Sequence, residues 1–111
     1  MQIHYDMNKN QLLVVLDGEI DHHSSSQIRT EIDTAIYAHM PQILIFDFQN
    51  VTFMDSSGIG LIMGRYKILK PLGSDMILRQ PSPHIAHMLH MAGMERLAKI
   101  QINTTEEVAT S

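Results

Sequence analysis

The chain is predicted to fold as an α/β unit: an N-terminal hairpin, then strands and helices in alternation around a mostly parallel sheet. Three observations predict this. Apolar runs of strand length alternate with stretches of helical period after the first turn. The run Ile43–Phe48 is apolar on nearly both faces, as a strand buried within a parallel sheet must be. Breakers fall between the runs, at Asp17-Gly18, Pro41, Pro71-Leu72-Gly73 and Gly93. Parallel strands joined through helices imply right-handed crossovers.

Each element has its own signal. Gln2–Met7 alternates weakly and reads as an edge strand, Asn8-Lys9-Asn10 as a turn, and Leu12–Leu16 as a short apolar strand that closes the hairpin. Ser24 with Gln27 three residues on fits a capping box. Ile28, Ile32, Ala35, Ile36 and His39 follow at helical spacing until Pro41. After the strand Ile43–Phe48, a helix is expected from about Ser57 to Lys70. Met76–Leu78 reads as a strand, Pro83–Met91 as a helix, Lys99–Ile102 as a last strand and Thr104–Ala109 as a terminal helical turn.

Composition narrows the function. The 111 residues, 44% hydrophobic, suit one domain over residues 1–111, with no linker or repeat. Absence of cysteine suits a reducing compartment. No apolar run approaches the roughly 20 residues of a membrane span, and the N-terminus lacks a signal-peptide plan, so a cytoplasmic protein without a membrane partner is expected. Net charge is −4 with eight scattered Lys and Arg, which argues against direct nucleic-acid binding.

The stretch Phe53-Met54-Asp55-Ser56-Ser57-Gly58-Ile59-Gly60 is the most informative one. It places two serines where a helix starts, beside unpaired N–H groups and the positive end of the peptide dipoles. A serine there reads as a cap, as a phosphorylation switch, or as both. In a parallel sheet the loops at the strands' carboxyl ends share one edge, so Gly18–His23 should meet Asp55-Ser56-Ser57. The helix that follows has an unusual second face. Ile59, Ile62, Met63, Tyr66 and Leu69 form the expected core stripe, with Gly60, Leu61, Gly64, Arg65 and Ile68 roughly opposite. Two glycines and two aliphatics do not make an ordinary solvated face. Either another element of the same domain covers it, or it is a docking surface. Its position beside the serines favours docking.

Other chemistry is weakly supported. The serines lack the Gly-x-Ser-x-Gly elbow of a hydrolase, although His22 or His23 could serve as a base. The three-glycine dinucleotide fingerprint fails at Met63, and no Walker lysine is present. His84, His87 and His90 spread over the polar side of one helix rather than converging on a metal. Asp21 with Glu19 could hold Mg²⁺, but reads better as loop carboxylates, one of them capping the first helix. No catalytic residue, metal or cofactor is expected.

Taken together, Gly18-Glu19-Ile20-Asp21-His22-His23, the Asp55-Ser56-Ser57-Gly58 stretch and Gly64-Arg65-Tyr66-Lys67 resemble the STAS-domain anti-anti-sigma factors, above all their sporulation members. Met94-Glu95-Arg96-Leu97 weakly resembles the end of that domain. The resemblance implies a STAS fold, in which the hairpin leads into a βα superhelix, and a non-catalytic switch protein. Its phosphorylated serine maps onto Ser56. Its partners are an anti-sigma factor that is itself a serine kinase, whose sigma factor it releases, and a PP2C-type phosphatase that restores the unphosphorylated form. With the free protein taken as a monomer, the expected contact residues are Asp21, His22, Asp55, Ser57, Gly60, Leu61, Gly64, Arg65 and Ile68. Ser24-Ser25-Ser26 departs from the family and offers alternative acceptors. The competing expectation is a STAS module that binds a small ligand or nucleotide, with Ser56 an unmodified helix cap.

Overall fold

Side chains alternate in environment along the second strand: Leu12, Val14 and Leu16 are buried while Leu13 and Val15 are only half-buried. That period of two assigns one face of the sheet to the core. The computed structural model describes residues 1–102, so the segment Thr104–Ala109 lies outside it. The elements are β1 (Gln2–Asp6), β2 (Gln11–Ile20), α1 (His22–His39), β3 (Ile43–Met54), α2 (Ser56–Leu69), β4 (Asp75–Arg79), α3 (Pro83–Met91) and β5 (Lys99–Gln101). Short 3-10 turns follow α2 and α3. The five strands lie in the order β1-β2-β3-β4-β5. β1 pairs antiparallel with β2, and every other pair is parallel.

Because each parallel strand is laid down beside the one before it, crossovers of a single hand put the helices on one face. Ile32 and Ile36 of α1, Leu61, Ile62 and Leu69 of α2, and Ile85 and Leu89 of α3 share one cluster with Leu12, Val14, Leu44, Phe46, Met76 and Leu78 of the sheet. The expected α/β architecture is present, and α3 has the bounds read from its pattern.

Three expectations are corrected. Asp17-Gly18 does not end β2. The strand slips register around these residues, with Gly18 at φ +68°, and then resumes pairing through Ile20. Glycine adopts that angle without strain, so the break in pattern is a bulge. Asp21, not Ser24, is the N-cap of α1, and Ser24 completes the capping box from the N3 position. The α2 stripe is rotated by most of one 100° residue step: Gly58, Leu61, Ile62, Arg65 and Leu69 are buried, whereas Met63 is 39% exposed. Leu61 is therefore a core residue at 4% exposure rather than an outer anchor. The cause is α1, which lies along α2 and covers Leu61 and Arg65. Covering by another element, the alternative to docking, holds for these two side chains.

Gly58 has the tightest surroundings of the glycines. A Cβ built there would fall on the Met54 side chain, within 2.4 Å of Cγ and Sδ. Nothing lies within 4 Å of a Cβ built at Gly60 or Gly64. These environments separate three substitutions in urea unfolding. Leu61→Ala is expected to cost about 2–5 kcal/mol, through lost transfer energy and a residual cavity. Gly58→Ala should cost about 1–3 kcal/mol by overpacking Met54. Gly64→Ala should stabilise α2 by up to about 1 kcal/mol.

Candidate functional site

The site is built where two neighbouring parallel strands end together. Ile20 of β2 pairs with Met54 of β3, and the Asp55 N–H donates to the Ile20 carbonyl at 3.2 Å. The next residue of each strand, Asp21 and Asp55, is the N-cap of the helix that follows. The loop around Asp21 thus meets Asp55-Ser56-Ser57, as expected. Asp21 Oδ1 accepts from the His23 and Ser24 backbone N–H groups, both at 2.9 Å. Its own N–H donates to Ser24 Oγ at 3.0 Å. These backbone donors hold the Asp21 carboxyl below its ordinary range. Asp55 Oδ1 accepts from the Ser57 N–H at 2.8 Å.

The caps are carboxylates, so the expectation that a serine caps α2 is corrected. Ser56 occupies the first helical position and is exposed, and its hydroxyl makes no hydrogen bond among the described residues. Ser57 is half-buried and turns toward a groove between α1 and α2. That groove, of about 550 Å³, brings together His22, Ser57, Gly60, Leu61, Gly64 and Arg65 from the expected contact set. Ile68 lies outside it, half-buried against the core. Arg65 is not a free cation. It is 5% exposed, with Nε 2.7 Å from Asp33 Oδ1 on α1. The two atoms lie off the line of a good hydrogen bond, so the contact is an ion pair first. Arg65 Nη1 also donates to the Leu61 carbonyl at 3.3 Å.

Sequence reasoning missed Arg29 and Asp33. Arg29 lines the groove and Asp33 pairs with Arg65. Their spacing of one helical turn reads as an ordinary pair on a solvated helix face, so it gives no pointer to Arg65. His84, His87 and His90 are all exposed, and His90 Nδ1 lies 3.0 Å from Glu95 Oε1. Among the described residues no cluster of three or more His, Asp or Glu is arranged to hold a metal, and no helix is long and apolar enough to cross a membrane.

Residues 2–109 match the model of the STAS domain family, and the chain belongs to that family. Within it the likeness is to anti-sigma factor antagonists. An anti-sigma F factor antagonist of Paenibacillus polymyxa is 35% identical over 93% of this chain and 88% of its own length. One of Lysinibacillus sphaericus is 34% identical over 93% and 86%. The solved structure of the anti-sigma factor antagonist SpoIIAA in its unphosphorylated form superposes with a TM-score of 0.78 at 30% identity, over 98% of this chain and 94% of that one. The phosphorylated form of the Bacillus cell fate determinant SpoIIAA superposes with a TM-score of 0.72 at 30% identity, over 99% and 98%.

The Asp21 cap has a pH signature. A carboxyl lowered in the folded state contributes stability that is present above its ordinary value of 3.8 and is lost as pH falls through the folded value. Asp21→Asn should therefore lower stability near neutrality and flatten the acid limb of a stability–pH profile measured by urea unfolding. An acid limb of unchanged steepness would assign that limb to other carboxylates.

Proposed function

We propose that this chain works as one cytoplasmic STAS domain, monomeric when free, that antagonises an anti-sigma factor and is switched by phosphorylation of Ser56. The unphosphorylated form binds the anti-sigma factor and releases its sigma factor. Phosphorylation by that same partner, a serine kinase, ends the binding, and a PP2C-type phosphatase reverses the modification. The chain itself binds and does not catalyse. One observation carries the reading: Ser56 stands exposed at the first position of α2 with its hydroxyl unengaged, next to Ser57, which lines a groove that presents bare backbone at Gly60 and Gly64. The similarity to a protein solved in both phosphorylation states supports it.

The local chemistry suits a switch. A phosphoserine adds about −1.5 to −2 charges at neutral pH. On Ser56 that charge enters beside the Asp55 carboxylate and near Asp21, where the partner must approach. The N-terminus of α2 offsets part of it, so the backbone has little reason to move.

A second reading, a STAS module with a small ligand in the groove, draws on the groove's volume of about 550 Å³. That size falls within the roughly 300–1,000 Å³ of small-molecule sites, and His22, Arg29, Arg65 and the serines would supply the few polar groups such a site uses.

Incubation with ATP and the cognate kinase, followed by intact-mass measurement and site mapping, tests the proposal. One phosphate on Ser56 is expected. Ser56→Ala should accept none while still binding the kinase. Ser56→Asp should bind more weakly than wild type but better than the phosphoprotein, since it carries one charge and a smaller head group. Phosphate mapped to Ser57 or to Ser24–Ser26 would overturn the assignment. Backbone NMR shifts between the two forms should stay within Gly18–His23 and Asp55–Gly64.

A further inference from the structure

The groove between α1 and α2 gathers positive charge although the protein carries a net charge of −4. Arg29 and Arg65 both line it, with His22 at its upper end and the hydroxyls of Ser25, Ser26 and Ser57 along its walls. Among the described residues no carboxylate lines the groove, and Asp33 beside it pairs with Arg65 at 2.7 Å. Two guanidinium groups against one carboxylate leave one positive charge in surplus.

The two arginines differ in a useful way. Arg65 is buried and fixed, with Nη1 on the Leu61 carbonyl and Nε against Asp33. Neither contact uses Nη2, and the side chain still reaches the groove. Arg29 lies one helical turn before Asp33 on α1 and is exposed, so it can close over an incoming group. A planar guanidinium matches a carboxylate in a bidentate fork. Across the groove, Gly60 and Gly64 lie one turn apart on α2 with open space where side chains would stand, so a second backbone can come close.

From this we propose that the groove receives an acidic segment of the anti-sigma partner, with a carboxylate seated between Arg29 and Arg65. The proposal rests on the reading above that the partner docks along this edge of α2. It also deepens the switch. A phosphate on Ser56 would stand next to Ser57, which lines the groove, and would repel the incoming carboxylate. Arg29 becomes a specificity residue for the partner, and Arg65 the fixed half of the acceptor.

The test measures affinity and association rate with the cognate anti-sigma factor, at low and high salt, for the wild type, Arg29→Lys, Arg29→Glu and Gly60→Phe. Circular dichroism melts verify that each variant folds; Arg29 and Gly60 are both exposed. Arg29→Glu should lose about tenfold or more in affinity, chiefly through slower association at low salt, and its salt dependence should shrink. Arg29→Lys should fall between wild type and Arg29→Glu, because it keeps the charge but loses the bidentate fork. Gly60→Phe should block docking by bulk without adding charge. Wild-type affinity of Arg29→Glu alongside failure of Gly60→Phe would overturn the acidic-segment proposal and leave the docking edge intact. Wild-type binding by both would overturn the docking edge and the proposal with it. A tenfold loss for Arg29→Glu that persists unchanged at high salt would also overturn it, since a charge contact must be screened.

Discussion

The parallel ladder between β2 and β3 runs to its very last pair, Ile20 with Met54, and the Asp55-to-Ile20 hydrogen bond closes it. That one constraint fixes the rest of the site. Both chains leave the sheet at the same level, so α1 and α2 start side by side with their positive ends together. Each start presents unpaired N–H groups, and each is met by the aspartate that ends its own strand. Two glycines make the ladder possible. Gly18 absorbs the bulge that lets β2 reach Ile20, and Gly58 lets the first turn of α2 rest directly on Met54. A side chain at Gly58 would force either Met54 or that turn to shift.

The Arg65–Asp33 pair does for the helices what the ladder does for the strands. Its net contribution to stability need not be large, since desolvating two charges offsets most of their attraction. Its effect is on arrangement. Any slide of α1 along α2 would leave a buried guanidinium without its carboxylate, at a cost of about 3–5 kcal/mol. The pair therefore sets the width of the groove, and Leu61 beneath it seals the floor with apolar surface. The same burial pushes the Arg65 pKa down and Asp33 opposes the shift, yet a guanidinium stays charged at any physiological pH. The positive charge in the groove is therefore permanent.

Much of the fold was legible because strand and helix leave different periods. Ile43–Phe48 announced a buried strand, and Pro83 and Gly93 bracket α3 by ordinary helix punctuation. The site was legible in its address but less so in its details. Asp-Ser-Ser offers capping residues at successive positions, and pattern alone does not say which of them faces the N–H groups; backbone geometry selects the aspartate. The α2 stripe misled for a different reason. A helical wheel has one apolar side, whereas α2 is buried on the sheet and on α1 at once. Arg65 was counted as polar and outward, which drew the inferred stripe away from it. Only the tertiary partner, Asp33, makes a buried arginine intelligible, and nothing local in the sequence names that partner. Arg29 was hidden likewise, as one charge on what reads as a solvated helix.

The energetics favour a local switch over a conformational one. Within the free protein, a phosphate on Ser56 gains about 0.3–1 kcal/mol from the helix end, and repulsion from Asp55 across water-exposed space is of similar size. These nearly cancel, so the fold has no strong reason to change. Inverting a binding equilibrium from 99:1 to 1:99 requires about 5.5 kcal/mol. In an interface, two unit charges 4 Å apart at an effective dielectric of 20 repel by about 4 kcal/mol. On the function proposed above, a phosphate with nearly two charges facing one partner carboxylate at that separation would supply the whole difference. On that function the free energy of the switch resides in the complex rather than in the protein alone, so one residue at a rigid helix start needs no moving part to control an association.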